Sequence, residues 1–446
     1  MAPRFGTDGI RGVAGTELTL ELVHALGAAA VRALGSDVAF LIARDTRESG
    51  PAFEEVLVSG IVEAGGNARV LGVLPTPGLA AACGASGAAG VMISASHNPY
   101  ADNGVKLFES GGRKLRDDTE AAVEAALQEI VDGTAAAVAG APGTAMYVDG
   151  AVDAYVAHLL DAVGGGTPLA GVRVVIDCAN GAASVAAPLA FRALGATVDV
   201  LSAAPDGINI NAGCGSTHPD MLAREVVARA ADAGLALDGD ADRVVAIDAT
   251  GAIVDGDHIL AILALDLDGR GQLRNRAIAT TVMANLGLIR ALEPRGIDVI
   301  VTPVGDRHVI AAMEDHDLVL GGEQSGHVIA SEHGVTGDGP LTGILLLDAM
   351  VRAGRTLREL AAVVTKYPQV LRNVAVTDRD GLEAATSFWD AVRAAEAELG
   401  AEGRVLVRPS GTEPVVRVMV EAADEANAAR ITAELCAALV VALGGA

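Results

Sequence analysis

Three times along this chain a short apolar run breaks off into a polar loop carrying reactive side chains. Val91-Met-Ile93 runs into Ser94-Ala-Ser-His-Asn-Pro99. Leu235-Ala-Leu237 runs into Asp238-Gly-Asp-Ala-Asp-Arg243, and Leu318-Val-Leu320 into Gly321-Gly-Glu-Gln-Ser-Gly-His327. Short unbroken apolar runs read as strands buried on both faces, as in parallel sheets. Helical and strand segments alternate before each run, which is the pattern of crossover connections. We read this as an internal repeat of domains, with faint identity between units. In open α/β sheets ligands bind beyond the carboxyl ends of strands, so these loops are the first candidates for a site.

The first unit predicts a helix over 20–34, strands over 38–43 and 67–73, and a helix from Pro77. Asn103-Gly104 reads as a tight turn that folds Lys106 back towards Ser96. A helix over 117–130 leads into an Ala/Gly-rich connection, 134–144. The second unit has strands over 172–177 and 197–201, and the third over 277–281 and 299–302. After Thr365-Lys-Tyr-Pro368 the pattern changes to strands over 370–377, 404–407 and 415–420, with helices over 381–399 and 425–443. The expected fold is α/β: three similar α/β domains with mainly parallel mixed sheets, plus a smaller C-terminal α+β domain, around a central cleft. The expected boundaries are 1–150, 151–252, 253–366 and 367–446. A chain of 446 residues suits several domains. Tyr367-Pro368, between two domain types, is the expected hinge.

Asp238, Asp240 and Asp242 alternate within five residues. Carboxylates this close repel unless a cation neutralises them, and hard oxygen ligands favour Mg²⁺ or Ca²⁺. An EF-hand is excluded, because Arg243 and Ala249 stand where its loop needs glycine and glutamate. The Ser94–Pro99 loop admits two readings of equal weight: a reactive hydroxyl at a strand end, or an Asn-Pro turn whose serines satisfy backbone groups. Arg408-Pro-Ser-Gly-Thr412, with Arg417, offers guanidinium, hydroxyls and a glycine nest for a phosphate. The alternative is a tight hairpin with an incidental arginine. Residues 321–327 hold a carboxylate, carboxamide, hydroxyl and imidazole between glycines, which suits a polyol or a plain glycine-rich turn. There is no Walker A loop and no G-x-G-x-x-G after a strand.

The net charge of −25 argues against a nucleic-acid or anionic-membrane surface. Four scattered cysteines give neither a zinc pattern nor a disulfide framework. The N-terminus lacks a signal-peptide segment, and the apolar 435–443 run is too short to span a bilayer. The expectation is a soluble, cytoplasmic protein acting on a small anionic molecule.

Seven stretches converge. They are Gly6-Thr-Asp-Gly-Ile-Arg-Gly12, Ser94-Ala-Ser-His-Asn-Pro99, Asp102-Asn-Gly-Val-Lys106, Asp238-Gly-Asp-Ala-Asp-Arg243, Gly321-Gly-Glu-Gln-Ser-Gly-His327, Thr336-Gly-Asp-Gly339 and Arg408-Pro-Ser-Gly-Thr412. In this order, over nearly the whole chain, they resemble the phosphohexomutase superfamily, most closely its phosphoglucosamine mutase branch. Val335 and Pro340 depart from the family pattern around Thr336-Gly-Asp-Gly339.

The resemblance implies Ser96 as a phosphoserine, and one Mg²⁺ held by Ser96, Asp238, Asp240 and Asp242. It implies Arg11, His97, Lys106, Arg243 and His327 around the reacting phosphate, with general acid and base left open. Glu323 and Ser325 would hold the sugar. Arg408, Ser410, Gly411, Thr412 and Arg417 would hold the distal phosphate. The implied reaction interconverts glucosamine 6-phosphate and glucosamine 1-phosphate through a 1,6-bisphosphate, feeding UDP-N-acetylglucosamine synthesis. Glucosamine or glucose 1,6-bisphosphate would be the activator. The rivals are a phosphoglucomutase/phosphomannomutase and a metal-dependent sugar phosphatase. The implied partners are a phosphosugar, with neither nucleic acid nor membrane, and the implied state a monomer or homodimer.

Overall fold

A computed structural model describes residues 9–136, 141–410 and 415–445. The first sheet contains β1 (Ile10–Val13), β2 (Ala39–Arg44), β3 (Asn67–Val73), β4 (Ala89–Ile93), β5 (Asp102–Phe108) and β6 (Ala145–Tyr147). Their order is β1-β5-β4-β2-β3-β6. β4, β2, β3 and β6 run parallel, while β5 is antiparallel to both β4 and β1. The helix Leu20–Leu34 starts where the Thr19 side chain accepts from Leu22 N, a normal N-cap. Its Leu26 packs with Leu57 and Ile61 from Gly50–Glu63, over Phe40, Ile42, Val91 and Ile93 of the sheet.

The second sheet holds β7 (Arg173–Asp177), β8 (Thr197–Leu201), β9 (Ala233–Leu237), β10 (Val244–Asp248) and β11 (Ile253–Val254), in order β11-β10-β9-β7-β8. The third holds β12 (Ala277–Thr281), β13 (Asp298–Thr302), β14 (Leu320–Gly322) and β15 (Val328–Ala330), in order β13-β12-β14-β15. The repeat expected from the sequence is thus present, with one refinement. β4–β5, β9–β10 and β14–β15 are antiparallel pairs, so each polar loop closes a hairpin. A hairpin lets the return strand carry further side chains past the loop, which a strand-to-helix turn would not.

Asn103-Gly104 is not the turn. Both residues are buried in β5, between β1 and β4. A Cβ on Gly104 would stand 2.6 Å from the Ser94 carbonyl oxygen, so glycine here serves close packing of strands. Lys106 nonetheless returns past the Ser96 loop, opposite Met92.

The fourth sheet, β16 (Gln369–Ala375), β17 (Arg404–Pro409) and β18 (Val415–Glu421), is antiparallel in order β16-β18-β17. The helix Glu425–Leu443 is long and apolar enough to cross a membrane by composition. Its Ile431, Leu435 and Leu439 instead pack on Val416, Val418 and Val420, as in a core helix.

By compactness the chain forms two units, residues 1–281 with 300–362, and residues 282–299 with 363–446. The second unit is pinned by Glu421, which is fully buried and accepts from Asn285 Nδ2, Leu286 N and Arg404 Nε. Asn285 also accepts from Tyr367 N and donates to Tyr367 O. Tyr367 is therefore anchored inside this unit. The chain passes between units at 281–282, 299–300 and 362–363.

Candidate active site

All three polar loops belong to the first unit, and hydrogen bonds stitch them together. Val244 N donates to Gly326 O at 3.1 Å, and Gly339 N to Ala241 O at 3.0 Å. A Cβ on Gly239 would stand 2.5 Å from Ser96 O, so the aspartate loop and the serine loop touch at the backbone.

Ser96 is buried in the left-handed region, at φ 51°. Its Oγ donates to Asp238 Oδ2 at 2.6 Å, with His97 Nδ1 3.5 Å away. Arg243 donates to the same His97 nitrogen at 3.1 Å. A guanidinium only donates, so Nδ1 accepts and the imidazole is neutral. Burial, with the charges of Arg243 and Arg11, holds the His97 pKa below its usual value.

Asp238, Asp240 and Asp242 are all buried, and one oxygen from each lies within 4.8 Å of the others. Burial and its two aspartate neighbours push Asp238 well above the usual carboxylate range. Burial would raise Asp242 too, but Lys106, His327 and Arg243 outweigh it and hold that carboxyl well below. Lys106 Nζ lies 2.7 Å from Asp240 Oδ2 and 3.6 Å from Asp242 Oδ2. Asp240 Oδ1 and Asp242 Oδ1 are buried without a hydrogen-bond partner. Unpartnered buried carboxylate oxygens are costly, and an oxygen-seeking divalent cation would satisfy them. The donor set fits Mg²⁺.

His327 stands beside Asp242, Nδ1 to Oδ2 at 3.7 Å. Gly337 N donates to its Nε2, which directs the ring proton on Nδ1 towards Asp242. On the 321–327 loop, Glu323 accepts from Gly305 N at 3.3 Å and lies 3.5 Å from Ser325 Oγ. A cavity of about 420 Å³ beside Leu263, Asp266, Arg270 and Arg352 contains none of these residues.

Family models for the phosphoglucomutase/phosphomannomutase alpha/beta/alpha domains I, II and III match residues 2–133, 153–251 and 255–367, and the model for the C-terminal domain matches 371–438. The chain belongs to the phosphoglucomutase/phosphomannomutase family. It is 50% identical over 449 residues to a phosphoglucosamine mutase of Saccharopolyspora erythraea, covering 98% of this chain and 100% of that one. A family member from Burkholderia thailandensis has the same fold, with TM-score 0.81 at 26% identity over 99% of this chain and 98% of the other. An Aspergillus fumigatus N-acetylphosphoglucosamine mutase, solved with GlcNAc-6P and magnesium, shares the fold at TM-score 0.72 and 18% identity, over 99% and 96% of the chains.

Arg408 and Arg417 lie in the second unit. Arg408 and Arg417 are direct partners across β17 and β18. Burial and the Arg417 charge lower the Arg408 pKa. Like charges directly opposite are unfavourable in a sheet unless an anion joins them. Ser410 is buried, its carbonyl accepting from Arg379. Gly411 and Thr412 lie outside the described residues, as do residues 6–8 of the first motif.

Sequence reasoning missed Thr76, whose Oγ1 donates to Asp240 Oδ2 at 2.7 Å. It also missed Asp45, Arg47 and Asn211. The signal for the first pair was a charged loop directly after a parallel strand.

Proposed function

We propose that the chain is a phosphoglucosamine mutase that interconverts glucosamine 6-phosphate and glucosamine 1-phosphate through phosphoserine 96 and a 1,6-bisphosphate. The observation that carries this is the Ser96 hydroxyl bonded to Asp238 inside a cluster of three buried carboxylates. It is joined by full-length similarity to a phosphoglucosamine mutase.

In each half-reaction the bond from phosphorus to the donor oxygen breaks as the bond to the acceptor oxygen forms. When Ser96 accepts, its hydroxyl proton is given up and the released sugar oxygen gains one. Asp238, through Oδ2, orients the Ser96 hydroxyl. Mg²⁺ held by Asp238, Asp240, Asp242 and the phosphoserine would polarise a phosphoryl oxygen as a Lewis acid. Lys106 and Arg243, with Arg11, spread positive charge around the transferring group, where positioning and electrostatics do most of the work. His97 and His327 are the titratable imidazoles beside the centre. Glu323 and Ser325 would bind sugar hydroxyls. Arg408, Ser410, Gly411, Thr412 and Arg417 would hold the phosphate that is not being transferred. Glucose or glucosamine 1,6-bisphosphate would prime the serine.

Preference for the amino sugar rests on Gln324 in the Glu323-Gln-Ser325 loop and on a carboxylate-rich, acidic chain that would favour the ammonium at carbon 2. A side-by-side assay should give kcat/KM for glucosamine phosphate at least about tenfold above glucose and mannose phosphates. Equal or higher efficiency with either of the latter would make this a phosphoglucomutase or phosphomannomutase. Release of inorganic phosphate instead of isomer would make it a phosphatase.

A further inference from the structure

We propose that Arg47, oriented by Asp45, is the positioning residue that holds the Ser96 loop in its reactive turn. The proposal rests on Ser96 being the phosphoryl carrier. The Arg47 and Asp45 side chains are both fully buried and paired, Nε to Oδ2 at 2.9 Å. The Arg47 guanidinium then spends its remaining donors on main-chain carbonyls. It donates to Ser96 O and Asn98 O through NH2, both at 2.9 Å, and to Asp102 O at 2.9 Å and Pro99 O through NH1. One planar cation thus gathers four carbonyls from a seven-residue turn, which only an arginine fork can do.

The arrangement answers a specific cost. Ser96 is a non-glycine residue at φ 51°, a conformation that costs about 1 kcal/mol or more and persists only where the surroundings over-determine it. The Ser96 carbonyl is buried, where an unpaired acceptor is costly, and the part-buried Asn98, Pro99 and Asp102 carbonyls are tied to it through the same guanidinium. Asp45 also accepts from Ser94 Oγ at 2.6 Å, and Ser94 Oγ in turn accepts from Ser96 N at 2.9 Å. The same carboxylate therefore fixes the arginine and the residue two before Ser96. Peptide planarity directs the His97 N–H opposite to the Ser96 carbonyl, and so away from the guanidinium. Asn211, from the second domain, repeats the grip by donating to Ser96 O at 2.9 Å and Asn98 O at 3.1 Å. The loop is clamped from behind, leaving Oγ directed at Asp238.

The test is the rate at which dephosphorylated enzyme takes phosphate onto Ser96 from glucose 1,6-bisphosphate, followed by intact mass. In Arg47→Lys the charge stays but one ammonium cannot span four carbonyls. Phosphorylation and kcat should both fall about 100-fold, the scale expected of a misplaced reacting atom. KM for the sugar phosphate and the affinity for Mn²⁺ should stay within about threefold, a split that general loosening of the fold would not give. Should Arg47→Lys fail to fold, Asn211→Ala removes only the amide shared by two of these carbonyls, and should slow the same step about tenfold with KM unchanged. Wild-type phosphorylation rates in a folded Arg47→Lys, or in Asn211→Ala where the former does not fold, overturn the proposal alone. Wild-type protein that takes no phosphate at Ser96 overturns the carrier reading, and this proposal with it.

Discussion

Ser96 Oγ donates a 2.6 Å hydrogen bond to Asp238 Oδ2, across 142 residues of sequence. The two residues close the first hairpin of different sheets, β4–β5 and β9–β10. Repetition of one hairpin architecture is what brings a hydroxyl, a carboxylate cluster and the Glu323 loop within one unit. The chemistry then follows from which side chain each copy carries.

Thr76 should set the metal affinity without touching the metal. Its hydroxyl and Lys106 both engage Asp240 Oδ2, which leaves Oδ1 for a cation. Thr76→Val should raise the Mg²⁺ concentration for half-maximal activity, and the Mn²⁺ dissociation constant, about 10–100-fold. Thr76→Ser should restore most of the loss. Unchanged Mn²⁺ binding in the valine variant would refute this role.

Removing the divalent cation should abolish turnover. Chelation followed by Mg²⁺ should restore it, while Zn²⁺-free controls exclude contamination. Full activity in a preparation verified as metal-free would contradict the reading of the aspartate cluster.

Asp338 should give stability a pH dependence of its own. Burial raises its pKa to about 7, against hydrogen bonds from Leu341 N and the Tyr155 hydroxyl. The ordinary value is 3.8. Between these values the folded state keeps a proton that the unfolded state has lost, so stability falls as pH rises towards 7 and levels off above it. Asp338→Asn cannot ionise. Its melting temperature, relative to wild type, should rise from about pH 4 to about pH 7 and level off above that. A constant difference would show that Asp338 does not titrate in this window.

Arg408 and Arg417 should make the second unit an oxyanion binder. Inorganic phosphate in excess should raise the melting temperature by mass action, and Arg417→Ala should lose most of that rise. The same variant should lose about 100-fold in kcat/KM, since a charge-assisted clamp on the distal phosphate is gone. An equal thermal shift in wild type and variant would place the phosphate elsewhere.

Much of the fold was legible because its elements obey one period each. Leu20–Leu34 and Glu425–Leu443 show apolar stripes at helical spacing and are observed at the predicted bounds. Asn103-Gly104 misled because the dipeptide's turn propensity is a local property, while its burial between two strands is a tertiary one. The short strands β10, β11 and β15 were unread, since two to five residues carry too little pattern and their role is to close hairpins. Asp238, Asp240 and Asp242 stood out because three carboxylates in sequence demand an explanation. Arg47 did not, because its meaning lies in four carbonyls more than forty residues away. The helix read from Pro77 starts one residue earlier, at Thr76, and the bond of Thr76 to Asp240 needs the second domain in place.

The central claim is that a phosphoryl group passes through Ser96. Its most direct measurement is peptide mapping of enzyme quenched during turnover with glucosamine 6-phosphate and a trace of bisphosphate, alongside Ser96→Ala. The account predicts one phosphoryl group, on the Ser96 peptide, formed and lost at rates no slower than kcat, and turnover in Ser96→Ala reduced about 1,000-fold or more with the fold intact. Phosphate absent from Ser96 during turnover, or wild-type activity in the alanine variant, would contradict it.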